Sequence, residues 1–209
     1  MGPVFAFIFA ILSAYLIGSI PTGFLIAQIF KGVDIRSAGS KNVGATNVYR
    51  VAGKLPGFLT LLIDIGKGVL AVTLVANFYY SFIQELDYDF YRALIGLTTV
   101  CGHIWPIFLK FKGGKGVATT IGVTSFLAPL ELALSLVVWL TVFIPTNYVS
   151  LGSLAFGISL PIFSIIFNQS IYTVIFCVTI CVLNTYKHKE NIKRLLKGEE
   201  NKTLLFKNS

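Results

Sequence analysis

Charge is what this sequence has least of. Asp, Glu, Lys and Arg make up 12% of its 209 residues, about half the share found in a soluble globular domain, which excludes an ordinary water-soluble fold. Histidine occurs only twice, as His103 and His188, too few and too scattered for a metal centre, so no metal and no cofactor are expected. The three cysteines, Cys101, Cys177 and Cys181, show neither zinc nor disulfide spacing and read as small apolar residues. No Gly-x-Ser-x-Gly elbow occurs, which argues against a serine hydrolase. No Gly-Lys-Ser/Thr occurs either, which excludes a Walker loop. Neither histidine has an aspartate five residues later, so the His-x4-Asp pattern of common acyltransferases is missing.

What is present is oil. Hydrophobic residues make up 55% of the chain and the mean hydropathy is +0.79. Val4 to Phe30, Leu55 to Tyr80 and Val149 to Phe167 carry few or no charges, and roughly 20 apolar residues suffice to cross a bilayer as a helix. These runs imply an all-α integral membrane protein. Residues 1–209 should form a single polytopic domain, with 187–209 as a basic cytoplasmic tail. No Lys or Arg precedes the first run, and that run is too long for a signal core, so Val4 to Phe30 is expected to be a retained span.

The formal charge of +8 is unevenly spread. Lys31 to Lys54 holds five basic residues against Asp34 alone, and Lys110, Lys112 and Lys115 follow the third run. Ser81 to Arg92 carries Glu85, Asp87 and Asp89, and the end of the chain is basic again. Basic segments beside spans stay cytoplasmic, which places the acidic loop outside. Val117 to Ile144 is then best divided in two near Ala128-Pro129-Leu130-Glu131, leaving polar Glu131 at the outer surface. The expected topology is about seven spans with the N-terminus outside and the C-terminus cytoplasmic. Two of the spans are short, about 12 to 14 residues; five or six spans are the alternatives.

Three polar stretches interrupt the oil. Gly113-Gly114-Lys115-Gly116 stands directly before a helix start. Glycine allows successive backbone N–H groups to face one anion, lysine adds a full charge, and the helix dipole favours phosphate. In the stretch from Gly39 to Arg50, Ser40, Asn42, Thr46 and Asn47 supply short hydrogen-bonding side chains. Gly39 and Gly44 supply flexible backbone there, and Arg50 offers a fork for phosphate. In the third stretch His188 and Asn191, three apart, share a face if the last helix continues past the membrane. Each stretch also has a plain reading: a basic interfacial anchor, an ordinary capped loop, and a solvated helix drawn to anionic lipid. Asp64 and Lys67, also at helical spacing inside an apolar run, are expected to brace the bundle as an ion pair.

Ser40 to Asn47, Gly102-His103-Ile104-Trp105-Pro106 with Lys112 to Thr119, and His188 to Leu196 together resemble the bacterial acyl-phosphate glycerol-3-phosphate acyltransferase family (PlsY). So does Gly18-Ser19-Ile20-Pro21-Thr22-Gly23. Lys187 departs mildly, standing where many members have arginine, and the tail past Glu200 varies. The resemblance implies a seven-span enzyme of the bacterial inner membrane with its site facing the cytoplasm. It implies acyl transfer from long-chain acyl phosphate to the 1-hydroxyl of glycerol 3-phosphate, among membrane lipids, with no nucleic acid partner. It further implies functional association with an enzyme that forms the acyl phosphate. By resemblance, Ser40, Arg50, Lys115, Ser153, His188 and Asn191 line the substrate-phosphate site.

Ser40, Lys115 and His188 are therefore the candidate catalytic residues. Asn42, Gly44, Asn47, Arg50, Gly113, Gly114, Gly116, Ser153 and Asn191 are the candidate substrate contacts. A mixed anhydride already carries a good leaving group, so direct attack without an acyl-enzyme is expected, and Ser40 should bind rather than become acylated. The hydroxyl proton goes to the donor phosphate or to His188. The rival reading is a transporter for a phosphorylated solute, which should show internal repeats and hold its polar groups at mid-bilayer; no repeats are found, and the three polar stretches cluster in loops on one side.

Overall fold

The computed structural model describes residues 1–203, and every regular element among them is a helix. The chain forms two compact units, Met1–Leu127 and Ala128 onward. In the first unit, α1 (Pro3–Ser19) and α2 (Thr22–Lys31) form one apolar stretch of 29 residues, broken at Ile20-Pro21. Proline has no N–H to continue the helical ladder, which accounts for the break. A short α3 (Ala45–Ala52) lies within the first polar stretch. Helix α4 (Lys54–Leu70) runs through a π-turn (Ala71–Val75) into α5 (Ala76–Tyr80), and α6 (Tyr88–Ile104) and α7 (Val117–Leu127) complete the unit. The second unit contains α8 (Pro129–Thr146), α9 (Val149–Ile166), α10 (Ile171–Lys187) and α11 (Lys189–Lys197).

Five stretches among the described residues are long and apolar enough to cross a membrane, or six if α10 and α11 are counted as one bent span. The chain does break near Ala128-Pro129, as the charge pattern required: α7 ends at Leu127 and α8 starts at Pro129. Only one of these two segments is short. Helix α7 has 11 residues, but α8 has 18 because it continues through Pro145 to Thr146. Glu131, expected at the outer surface, is instead fully buried, and its Oε1 accepts from Gln169 Nε2 at 2.7 Å. An amide after α9 supplies the hydrogen bond that water would otherwise give.

The packing is that of helices in lipid. Large apolar side chains point outward, with Val4, Leu74 and Ile29 each more than 60% exposed. Small residues point inward. Helix α1 buries Ala6, Ala10, Ala14 and Gly18 at four-residue spacing, all on one face. A Cβ on Gly18 would strike the Thr99 carbonyl of α6, and one on Gly102 of α6 would strike the Tyr15 carbonyl of α1. The same reciprocal fit joins α4 to α7, where Gly68 faces the Thr119 carbonyl and Gly122 the Ile65 carbonyl. Lipid tails are as apolar as leucine, so such helices associate through close van der Waals contact, which only small residues permit. These two contacts fix the end of α6 and the start of α7, and hence the loop between them.

Candidate active site

The first polar stretch folds around one buried side chain. Asn47, 2% exposed at the start of α3, accepts from the Ser40 amide at 2.8 Å through Oδ1. Its Nδ2 donates to the carbonyls of Ala38 at 3.0 Å and Asn42 at 2.8 Å. Asn42 Oδ1 accepts from the Gly44 amide at 2.8 Å, a local turn that leads into α3. Asn42 and Asn47 thus shape this loop through their amides. Ser40 is exposed at its surface, and Arg50 is partly buried in the last turn of α3. Gly39 adopts a left-handed conformation (φ 57°), and a Cβ there would meet Asn47 Oδ1. Asp34 and Arg36, just before it, neutralise each other at 2.6 Å. That contact holds the exposed Asp34 carboxyl down at about 2.

The second stretch comes against the first. Val43 and Leu109 share one buried apolar cluster with Ala27, Ile35 and Val48. Thr22, Gly23, Val43, Asp64, His103 and Pro106 line a narrow recess beside it. The amides of Gly113 and Gly114 do not face a common anion, contrary to expectation. They donate to the carbonyls of Ile104 at 3.2 Å and His103 at 3.1 Å, the orphan acceptors at the end of α6. Gly116 takes φ 83° to enter α7, with a Cβ position pressed on Val100. The charge that the Gly113–Gly116 segment presents is Lys115, partly buried two residues before the start of α7.

The expected Asp64–Lys67 ion pair is present at 2.9 Å, and it has a third member. His103 Nδ1 lies 3.6 Å from the same Asp64 oxygen, and all three side chains are buried. Lys67 Nζ also donates to the Ile20 carbonyl at 3.3 Å, at the break between α1 and α2. The opposite edge of the His103 ring occupies the place a Gly114 side chain would need. Gly114 is thus a packing requirement of the buried cluster as well as part of the loop.

In the second unit Ser153, His188 and Asn191 lie in one hydrogen-bonded region. Ser153, buried on α9, accepts through its carbonyl from Asn184 Nδ2 at 2.6 Å. The Asn184 carbonyl lies 2.8 Å from His188 Nδ1. A carbonyl only accepts, so Nδ1 carries the hydrogen in this contact. His188 and Asn191 do not ride on one continuous helix. Helix α10 ends at Lys187, His188 forms the junction, and α11 departs at 57°. The imidazole competes with backbone for the Asn184 carbonyl, a local side-chain bond that favours a helix end. Asn191, also buried, donates through Nδ2 to Glu200 Oε1 at 2.7 Å.

The profile of glycerol-3-phosphate acyltransferases matches residues 8–198, which takes in all three polar stretches. The chain belongs to the glycerol-3-phosphate acyltransferase family. A family member from Desulforamulus reducens is 45% identical over 190 residues, covering 91% of this chain and 92% of its own length. One from Carboxydothermus hydrogenoformans is 42% identical, covering 96% and 98%. The fold is similar to that of PlsY, an integral membrane glycerol 3-phosphate acyltransferase, in its glycerol 3-phosphate form. There the TM-score is 0.86 at 39% identity, over 95% of this chain and 96% of that one. The lysophosphatidic acid form gives 0.83 at the same identity. An acyltransferase family sets aside the solute-transporter reading.

Two participants escaped the sequence reading. His103 stands in a recognisable Gly-His-Ile-Trp-Pro run, but nothing in its spacing points to Asp64, which is 39 positions away. Glu200 gave one faint signal, Gly198, a residue that caps helix ends and turns the chain back.

Proposed function

We propose that this protein transfers a fatty acyl group from long-chain acyl phosphate to the 1-hydroxyl of sn-glycerol 3-phosphate. The hydroxyl oxygen bonds to the acyl carbon, the bond from that carbon to the phosphate oxygen breaks, and lysophosphatidic acid and inorganic phosphate leave. The observation that carries this reading is the likeness over 95% of the chain to a protein whose structures include glycerol 3-phosphate and lysophosphatidic acid forms.

In the first unit, Lys115 at the start of α7 and Arg50 on α3 neutralise phosphate, and Ser40 binds as a hydrogen-bonding group. Asn42, Gly44, Asn47, Gly113, Gly114 and Gly116 shape the loops that hold these three. In the second unit, Ser153, His188 and Asn191 contact substrate, with the His188 ring oriented by the Asn184 carbonyl. Two phosphates repel, so neutralising charge and aligning hydroxyl with carbonyl are the main tasks. The mixed anhydride makes a covalent acyl-enzyme unnecessary. The hydroxyl proton passes to the departing donor phosphate or to His188.

The same reading has seven spans, with α7 as the short one, the N-terminus outside and the C-terminus inside. It sets the protein among the lipids of a bacterial inner membrane, with the site toward the cytoplasm. Residues 187–209 form a basic cytoplasmic tail, of which 204–209 lie outside the described residues. An enzyme that makes acyl phosphate works alongside it.

Purified protein is given glycerol 3-phosphate with acyl phosphate, acyl-CoA or acyl-carrier protein in separate reactions. Lysophosphatidic acid from acyl phosphate alone is the expected result, and product only from a thioester overturns the donor. Enzyme with acyl phosphate alone should show no phosphate burst and no acyl mass on Ser40. For sidedness, a cysteine at Lys193 should resist an impermeant thiol reagent in intact cells while one at Asp87 reacts. Labelling of the first from outside refutes the topology.

A further inference from the structure

Helix α11 has nine residues, too few to persist on helix propensity alone, and it leaves α10 at 57°. Something beyond its own hydrogen bonds must hold it. Immediately after it, Gly198 takes φ 72° and the Glu199 amide returns to the Arg194 carbonyl at 2.8 Å. That reversal turns Glu200 back under the helix. The Glu200 carboxylate is 3% exposed and meets three donors. Ser150 Oγ at 3.0 Å and Asn191 Nδ2 at 2.7 Å reach Oε1. Arg194 Nε at 2.7 Å reaches Oε2. The following residues continue along the α8–α9 turn, with Lys202 over the Tyr148 ring and the Thr203 amide on the Asn147 carbonyl at 2.8 Å.

We propose that Glu200 is a positioning residue for substrate binding: it ties Asn191 and Arg194 of α11 to the first turn of α9, and so fixes the amide of Asn191 that meets glycerol 3-phosphate. This rests on the assignment of Asn191 as a substrate contact. A carboxylate accepts and never donates, so Glu200 decides which end of the Asn191 amide turns inward. An unconstrained asparagine would present either end. Ser150 lies three residues, about one helical turn, before Ser153, so the same carboxylate references α11 to the turn of α9 that carries the other substrate contact. A buried carboxylate is unfavourable unless its oxygens are well bonded, and here the two ionic or hydrogen-bonding partners on α11 and the hydroxyl on α9 meet that need together.

The test uses full-length protein in lipid nanodiscs and compares Glu200→Ala, Glu200→Gln, Asn191→Ala and the double variant Asn191→Ala/Glu200→Ala. KM for each substrate, kcat and the thermal unfolding midpoint are measured for all. Glu200→Ala should raise the glycerol 3-phosphate KM by about tenfold or more, the scale of losing a charge-assisted hydrogen bond that orders a binding group. The acyl phosphate KM should stay within about twofold, well inside the effect of one lost hydrogen bond. Glu200→Gln keeps the shape and one acceptor, so it should fold like wild type and give a smaller rise. The double variant should be no worse than Asn191→Ala alone, because the two residues act through one contact. Equal rises in both KM values with a lowered midpoint would make Glu200 a stability residue and overturn the proposal, as would additive effects in the double variant. If Asn191→Ala raises the glycerol 3-phosphate KM and Glu200→Ala and Glu200→Gln do not, the Asn191 assignment stands and the proposal alone falls. If Asn191→Ala leaves that KM unchanged, the assignment itself falls and takes the proposal with it.

Discussion

Each unit buries a carboxylate in an apolar helix, and they do so by opposite means. Asp64 in the first has Lys67 at 2.9 Å and His103 at 3.6 Å on the same oxygen. Glu131 in the second has a neutral amide, Gln169 Nε2, on one oxygen, while its Oε2 and the nearby Ser135 Oγ have no hydrogen-bond partner among the described residues. The first arrangement is an ionic assembly whose members depend on one another. The second is a single hydrogen bond between polar groups. Removing a member of an ionic assembly strands a charge where no water can reach it, whereas trimming a contact with a neutral amide forfeits one hydrogen bond.

The largest effect is expected where that contrast is sharpest. Lys67→Met should strand Asp64 and destabilise the protein by about 3–5 kcal/mol, seen as a lowered unfolding midpoint in detergent. Asp64→Asn/Lys67→Met removes both charges and should recover most of the loss. A double variant as unstable as the single one would show that charge compensation is not what holds this cluster. Gly114→Ala comes next: its Cβ meets the His103 ring, and displacing the loop that carries Lys115 by about 1 Å should lower kcat/KM about 10²-fold. Unchanged turnover in a folded Gly114→Ala protein would separate the buried cluster from the loop's function. Gly122→Ala drives α7 away from the Ile65 carbonyl and should destabilise by about 1–3 kcal/mol, with a smaller effect on turnover than Gly114→Ala. The smallest change belongs to Glu131→Gln, whose carbonyl oxygen can still accept from Gln169. Its midpoint should fall by less than about 1 kcal/mol equivalent, and a collapse comparable to Lys67→Met would erase the distinction between the units.

What the sequence made legible was local. The helix break at Ala128-Pro129 followed from charge balance and a proline, and the Asp64–Lys67 pair followed from spacing within one helix. The readings that failed turned on which partner each polar group takes. Gly113 and Gly114 have the composition of an anion cradle, yet the nearest unsatisfied acceptors are the last carbonyls of α6, and their amides go there. Glu131 looked like a residue for water because its partner, Gln169, is 38 positions away. His188 and Asn191 have helical spacing, but the imidazole takes a backbone carbonyl and the helix breaks at His188 itself. In the candidate site, the residue types were readable in the sequence; which of their atoms remain for a substrate depended on contacts that periodicity does not encode.

The π-turn at Ala71–Val75 has a consequence of a different kind. Before it, Gly68 faces α7; after it, Ala76 joins Ala6, Ala10 and Ala14 in the buried seam of α1. The wider turn absorbs one extra residue, so that a single helix still satisfies both neighbours. Deleting one residue there would therefore leave an uninterrupted α-helix whose two ends keep much the same neighbours. A second deletion, taken from that regular helix, would rotate everything beyond it by about 100°, swinging Ala76 out of the seam and turning Tyr79 and Tyr80 with it. The turn thus holds one letter in reserve: a first in-frame loss of three bases should do far less damage here than a second.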